Sequence, residues 1–196
     1  MSPKSSTQFT AIREKSRAKI LKAAVELFSK YGYLEVSVSR IAEKAGVAKG
    51  LLYNYFHSKE AVLKAIVDLM MSDMQVFMES VAGEERPKVK IERMIRLSFR
   101  MFREKAAFYK NIMSIITQSG VPSKIKKPLN DFLAEAVAEL EETFRLEGVE
   151  NPRIEALKLG AILDGVAWHY LFVFGESYPL DNMENELVKR YTGTVK

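Results

Sequence analysis

The sequence predicts an all-α fold in two consecutive parts. A small N-terminal head, residues 1–57, is built around a helix-turn-helix, and a larger helical body follows over residues 58–196. Three observations carry this expectation. Apolar residues recur at three- and four-residue spacing through the long stretches, which is the period of one helix face. Breaks at Gly32, Gly83–Pro87, Ser119–Pro122 and Gly148–Pro152 separate those stretches. Two short apolar patterns, one from Val38 to Ala45 and one from Leu51 to Phe56, flank Gly46 as the arms of a helix-turn-helix do.

Taken in order, residues 1–9 read as a loose polar tail without the apolar run of a signal peptide. The first helix is expected from Thr10 to Tyr31. Ile20, Ala24, Leu27, Phe28 and Tyr31 form its inner stripe, and Gly32 stops it. Its start is basic, with Arg13, Lys15, Arg17, Lys19 and Lys22. In the second helix Val38, Ile41, Ala42 and Ala45 share a face. Ser37 caps it by offering an oxygen to an unpaired first-turn amide, and Gly46 ends it in a left-handed conformation. Leu51, Leu52, Tyr55 and Phe56 mark the third. Ser58 caps a fourth, Lys59 to Ser80, with Glu60 where a negative charge suits the helix dipole.

In the body, helices are expected over Val89–Lys105, Ala107–Gln118, Ser123–Glu147 and Arg153–Phe174, with a last short one over Asp181–Tyr191. The stretch from Arg153 to Phe174 is apolar on two sides, so it needs cover on two sides. Gly160, Ala161, Gly165 and Ala167 keep part of its surface low, and another helix can come close there. The expectation is a homodimer through the helices near 123–147 and 153–174.

Composition narrows the chemistry. There is no cysteine, so no disulfide frame and no thiolate. The two histidines, His57 and His169, have no partner at metal-ligand spacing. No phosphate-binding glycine loop or Ser-His-Asp arrangement is present, and Glu135, Glu139, Glu141 and Glu142 read as a solvated helix face. The chain is therefore expected not to be an enzyme and to need no cofactor or metal. Its most apolar window, Ala161 to Phe174, is interrupted by Asp164 and His169 and reads as too short for a bilayer. No membrane partner is expected, and a cytoplasmic location suits the absence of cysteine.

Net charge is +5 and unevenly placed. Residues 1–60 carry 11 Lys and Arg against 5 Asp and Glu, a net +6, whereas residues 61–196 carry 19 against 20, a net −1. A basic head of this kind is the electrostatic footprint of a polyanion partner. The second helix of the motif is small enough for a DNA major groove. Lys49 can reach a phosphate or a guanine edge, Gly50 permits close approach, and Tyr53 and Tyr55 bring phenol donors. The candidate double-stranded DNA contacts are Ser37, Ser39, Arg40, Ala48, Lys49, Gly50, Tyr53, Asn54, Tyr55 and Lys59.

The same stretch resembles the N-terminal domain of the TetR family of transcriptional regulators, from about Arg17 to Val67. The motif residues are Ile20-Leu21-x-x-Ala24, Leu27-Phe28-x-x-x-Gly32-Tyr33, Ser37-Val38-x-x-Ile41-Ala42-x-x-Ala45-Gly46-Val47 and Lys49-Gly50-x-x-Tyr53-x-Tyr55-Phe56-x-x-Lys59-Glu60-x-Val62-Leu63. It departs at Ser37-Val38, where the family often has two threonines, and at Leu51, where a small or polar residue is common. The resemblance implies a dimeric repressor of a palindromic operator, released when a small molecule enters a cavity among the body helices, with the fourth helix as the lever. For an apolar effector the candidate contacts are Met94, Phe99, Phe102, Phe108, Tyr109, Met113, Phe132, Trp168, His169 and Phe172, flexible or flat groups that suit an adaptable pocket.

Overall fold

The computed structural model describes residues 6–193. Its helices are α1 (Ser6–Tyr31), α2 (Val38–Ala45), α3 (Lys49–Tyr55), α4 (Lys59–Ala82), α5 (Pro87–Glu104), α6 (Ala106–Ile116), α7 (Ser123–Leu146), α8 (Pro152–Trp168) and α9 (Leu180–Thr192). No strand occurs among the described residues. The all-α reading holds. α1 starts earlier than the spacing predicts, at Ser6, because no glycine or proline interrupts the chain between Ser6 and Thr10. The readings made for residues 1–5 lie outside the described residues. α8 does not run unbroken to Phe174. It passes into a wider, π-type turn over His169–Phe174 and a 3-10 turn over Gly175–Ser177.

The chain divides into two compact units that are not consecutive in sequence. One ends at Met70 and also takes in Asn111–Lys126; the other holds Met71–Lys110 and the chain from Lys127 onward. α4, α6 and α7 each contribute residues to both.

In the first unit α1 packs on α2, and α2 on α3. Ile20, Phe28, Ile41, Leu52, Leu63 and Ile66 are almost completely buried, each removing apolar surface from water. Phe28 meets Tyr33 edge-on, with ring centroids 5.3 Å apart. Gln118 ties the 111–126 segment into this unit. Its Oε1 accepts from the Tyr33 backbone N–H at 2.7 Å, and its Nε2 donates to the Phe28 and Ser114 carbonyls at 3.2 and 3.1 Å. Beside it Leu34 covers Gly120 so closely that a Cβ built at position 120 would fall inside the Leu34 side chain. Lys124 and Glu60 form an ion pair at 2.7 Å.

In the second unit α5 packs against α9 and α8. Ile91, Ile95, Phe99, Phe144, Ala156 and Leu159 belong to its buried core. The nearly buried Glu184 is held there by Arg96 at 3.4 Å and by Arg103. A buried carboxylate needs such partners to keep its charge. α8 is only partly covered: Ile154, Leu157, Trp168, Val173 and Phe174 are exposed along it and its continuation. The whole helical stretch Pro152–Ser177, 26 residues, is long and apolar enough to cross a membrane. It is so by length and composition only, because helical turns continue through both the π-type and 3-10 segments; the window Ala161–Phe174 inside it is interrupted by Asp164 and His169.

Candidate nucleic-acid interface and apolar cavity

The α2–α3 turn is set by local chemistry. Ser37 is extended, and its Oγ accepts from the Arg40 N–H at 3.2 Å, capping α2. Gly46 closes α2 at φ 66°, a left-handed conformation, and its N–H reaches back to the α2 carbonyls. Ala48 stands at the start of α3 in extended conformation. Leu52 is the buried anchor of α3 and Phe56 is buried just after it, so Lys49, Gly50, Leu51, Tyr53 and Asn54 turn outward.

Ser37, Ser39, Arg40, Ala48, Lys49, Gly50, Tyr53 and Asn54 are all exposed. Nothing lies within 4 Å of a Cβ built at Gly50, so a partner can approach the backbone there. Tyr55 is half-buried, with the Arg13 guanidinium 5.7 Å over its ring, and Arg17 stands 5.8 Å over Phe56. Arg40 lies 3.9 Å over the Tyr31 ring, a cation–π contact that fixes its direction. Lys44 pairs with Glu26 at 2.8 Å, and that hydrogen bond holds the Glu26 carboxyl below its usual value.

Lys59 is placed differently from Lys49, the other lysine of the candidate set. Its Nζ donates to the Tyr33 and Leu34 carbonyls at 2.7 and 2.9 Å and sits 4.6 Å over the Tyr33 ring. Desolvation in that position lowers its pKa. Its ammonium is thus committed to the loop between α1 and α2. Lys49 has no side-chain partner among the described residues.

The second unit contains a cavity of 390 Å³. α4 gives Met74 and Phe77 to its wall, and α5 gives Met94, Ser98, Met101 and Phe102. α7 gives Phe132 and Leu133 with the turn that follows them. α8 gives Leu157, Gly160, Ala161 and Asp164, which at three- and four-residue spacing form one face of that helix.

A family model described as bacterial regulatory proteins, tetR family, matches residues 20–66. That segment of the chain is a tetR-family domain. RutR of Escherichia coli (strain K12), an HTH-type transcriptional regulator, is 38% identical over 98 residues, which is 48% of this chain and 44% of RutR. The chain thus spans about half the length of the curated relatives it matches. Among solved structures, native NalD of Pseudomonas aeruginosa, the secondary repressor of the MexAB-OprM multidrug efflux pump, superposes with a TM-score of 0.72 at 21% identity, covering 91% of this chain and 96% of NalD. FadR of Bacillus subtilis, solved in complex with stearoyl-CoA, superposes with a TM-score of 0.66 at 21% identity, covering 91% and 99%. These likenesses show that the tetR-family domain and the body share one fold with both structures.

In the tetR-family domain the candidate contacts from Ser37 to Asn54 are each exposed, Tyr55 is half-covered, and the Lys59 ammonium donates to the Tyr33 and Leu34 carbonyls. In the body, Met94, Phe102 and Phe132 line the cavity and the other seven candidates do not. Phe99 is fully buried in the core. Phe108 meets Tyr109 edge-on at 5.7 Å. Tyr109 is buried with a hydroxyl that finds no hydrogen-bond partner among the described residues, and burial raises its pKa. Met113 belongs to the other compact unit. Trp168 is exposed and stacked on Phe172 at 4.6 Å, with Lys110 over the Phe172 ring, and His169 leans on Phe174 and Tyr178. The sequence reading passed over Gly160, Ala161 and Asp164 as cavity residues. Their shared helical face was the available signal. Gln118 was also passed over, and no local pattern marks it.

Proposed function

We propose that this protein is a ligand-responsive transcriptional regulator that binds a palindromic DNA operator as a homodimer and is released by a small apolar effector. The observation that carries the reading is the outward face of α2 and α3, where Lys49, Gly50, Tyr53 and Asn54 are free of intramolecular cover inside a segment of net charge +6. Lysines there neutralise phosphates, and polar tips on a short helix reach base edges. The functional division follows residues 1–57 for DNA and 58–196 for effector and dimer contacts.

A homodimer is supported by the apolar groups left uncovered outside the cavity, Ile154, Trp168, Val173 and Phe174 along α8 and its continuation, and by Leu146 on α7. Gly165, which does not line the cavity, meets nothing within 4 Å of an added Cβ, so a second helix has room to approach there. Covering this face with a second copy accounts for its apolarity in a cytoplasmic protein without a bilayer. The dimer would set two reading helices about one DNA turn apart, roughly 34–36 Å. The effector reading is supported by the apolar cavity. FadR of Bacillus subtilis holds stearoyl-CoA in its own structure, and the apolar wall here suits an apolar molecule likewise. An effector that binds one global state better than the other shifts the population away from DNA.

Selection from a random duplex pool at physiological salt tests the DNA reading, with enrichment of one palindromic site expected. A pool that stays unenriched, while Lys49→Ala changes nothing, defeats it.

A further inference from the structure

We propose that the body cavity takes a lipophilic cation, and that Asp164 is the group that recognises its charge. This rests on the cavity being an effector site and adds the chemical class of the effector. The wall of the cavity is apolar except at Ser98 and Asp164, and no Lys, Arg or His contributes to it. The Ser98 hydroxyl donates to the Met94 carbonyl at 2.9 Å, so its proton is committed within α5. Asp164 has no hydrogen bond or ion pair among the described residues. Its position on the face shared with Leu157, Gly160 and Ala161 sets the carboxylate against the cavity, while its exposure as a residue places it at the mouth.

Most basic residues of α5 are paired with other carboxylates, Lys88 with Glu147 among them, and none lines the cavity. Lys90 pairs with Glu139, Arg93 with Glu84, Arg96 with Glu92 and Glu184, and Arg103 with Asp181 and Glu184. The cavity therefore presents a greasy wall ending in one unneutralised negative charge. A molecule with an apolar body and a single positive end satisfies both features. Its body removes apolar surface from water, and its charge meets a carboxylate beside low-dielectric surroundings, where attraction is stronger than in bulk water. An anion of the same shape would meet like charge at the mouth instead. The apolar groups around Asp164 already strip enough hydration from the carboxylate to raise its pKa above the ordinary value, so a bound cation relieves an existing unfavourable state.

The experiment is calorimetric titration of the full-length protein with decyltrimethylammonium, decanol and decanoate, all below micellar concentration. The three share one alkyl chain and differ in charge. The cation is expected to bind at least about tenfold more tightly than decanoate, with decanol between. Asp164→Asn should bring the cation and decanoate to within about threefold, and Asp164→Glu should keep the wild-type order, which separates loss of charge from loss of fold. Decanoate binding as tightly as the cation, or an Asp164→Asn protein with unchanged affinity for the cation, overturns the assignment while leaving the cavity as an effector site. Binding by none of the three overturns both.

Discussion

Gln118 holds Tyr33 by its backbone: the amide Oε1 accepts the Tyr33 N–H at 2.7 Å across 85 residues of sequence. The same side chain donates to the Phe28 carbonyl, so one amide satisfies both the end of α1 and the loop that follows it. Gln118→Ala leaves the Tyr33 donor unpaired at a buried residue and should lower stability by about 1–3 kcal/mol in urea unfolding. Gln118→Glu keeps the acceptor but faces a carboxylate toward two carbonyls, so at neutral pH it should not restore the loss. Wild-type stability in the alanine variant would show that the bridge contributes nothing.

Lys49 and Lys59 should separate cleanly. Lys49→Ala removes an uncommitted cation from the outer face and should reduce the slope of log affinity against log salt by about one, with the melting temperature unchanged. Lys59→Ala removes the donor to Tyr33 and Leu34. It should lower the melting temperature, by about 1.5–3 kcal/mol of stability, and leave the salt slope nearly as it was. Equal slopes lost in both variants would place Lys59 on DNA after all.

Gly165→Arg tests the uncovered side of α8. In a single chain the added side chain meets open space, so the variant should fold with the wild-type far-UV spectrum. In a close helix–helix interface it should clash and bring charge, and sedimentation should report monomers with DNA affinity greatly reduced. A dimeric variant argues for a different interface.

Asp164 also sets a pH dependence in the unliganded protein. Its folded pKa is raised by desolvation above 3.8, so the folded state binds this proton more readily than the unfolded one. That favours the fold below 3.8 and is lost as pH rises through the higher folded value. Asp164→Asn should therefore be slightly more stable than wild type at neutral pH, with the gap closing in acid. The residue is partly exposed, so the effect is small. A variant less stable at pH 7, monitored by thermal unfolding, contradicts this sign.

The head was legible because its signals are local. Ser37 caps within three residues, Gly46 ends α2 by its own backbone, and Leu52 and Phe56 declare the buried side of α3. The cavity was less so. Phe99 and Phe102 lie three residues apart on α5 and look alike in sequence, yet one fills the core and the other lines the cavity. Only the helices packed around α5 decide between them. Trp168 and Phe172 looked suited to a ligand, but they satisfy each other by stacking on the outside. Lys59 looked like a phosphate contact because its two carbonyl acceptors lie 26 and 25 residues earlier, beyond any local pattern. A division of the chain at residue 57 likewise carries no sign that Asn111–Lys126 joins the first compact unit.

Leu34 and Gly120 occupy one volume between them, and this makes them a single locus for sequence change. An alanine at 120 displaces the Leu34 side chain, whereas a smaller residue at 34 opens the space an alanine needs. Leu34 is 63% exposed, so its side chain can turn aside for an alanine at 120 at little cost, and the first response to that substitution is a new Leu34 rotamer. The loop after α1 and the turn that follows α6 therefore change together at this point: the size of residue 120 selects which way the Leu34 side chain turns on the surface.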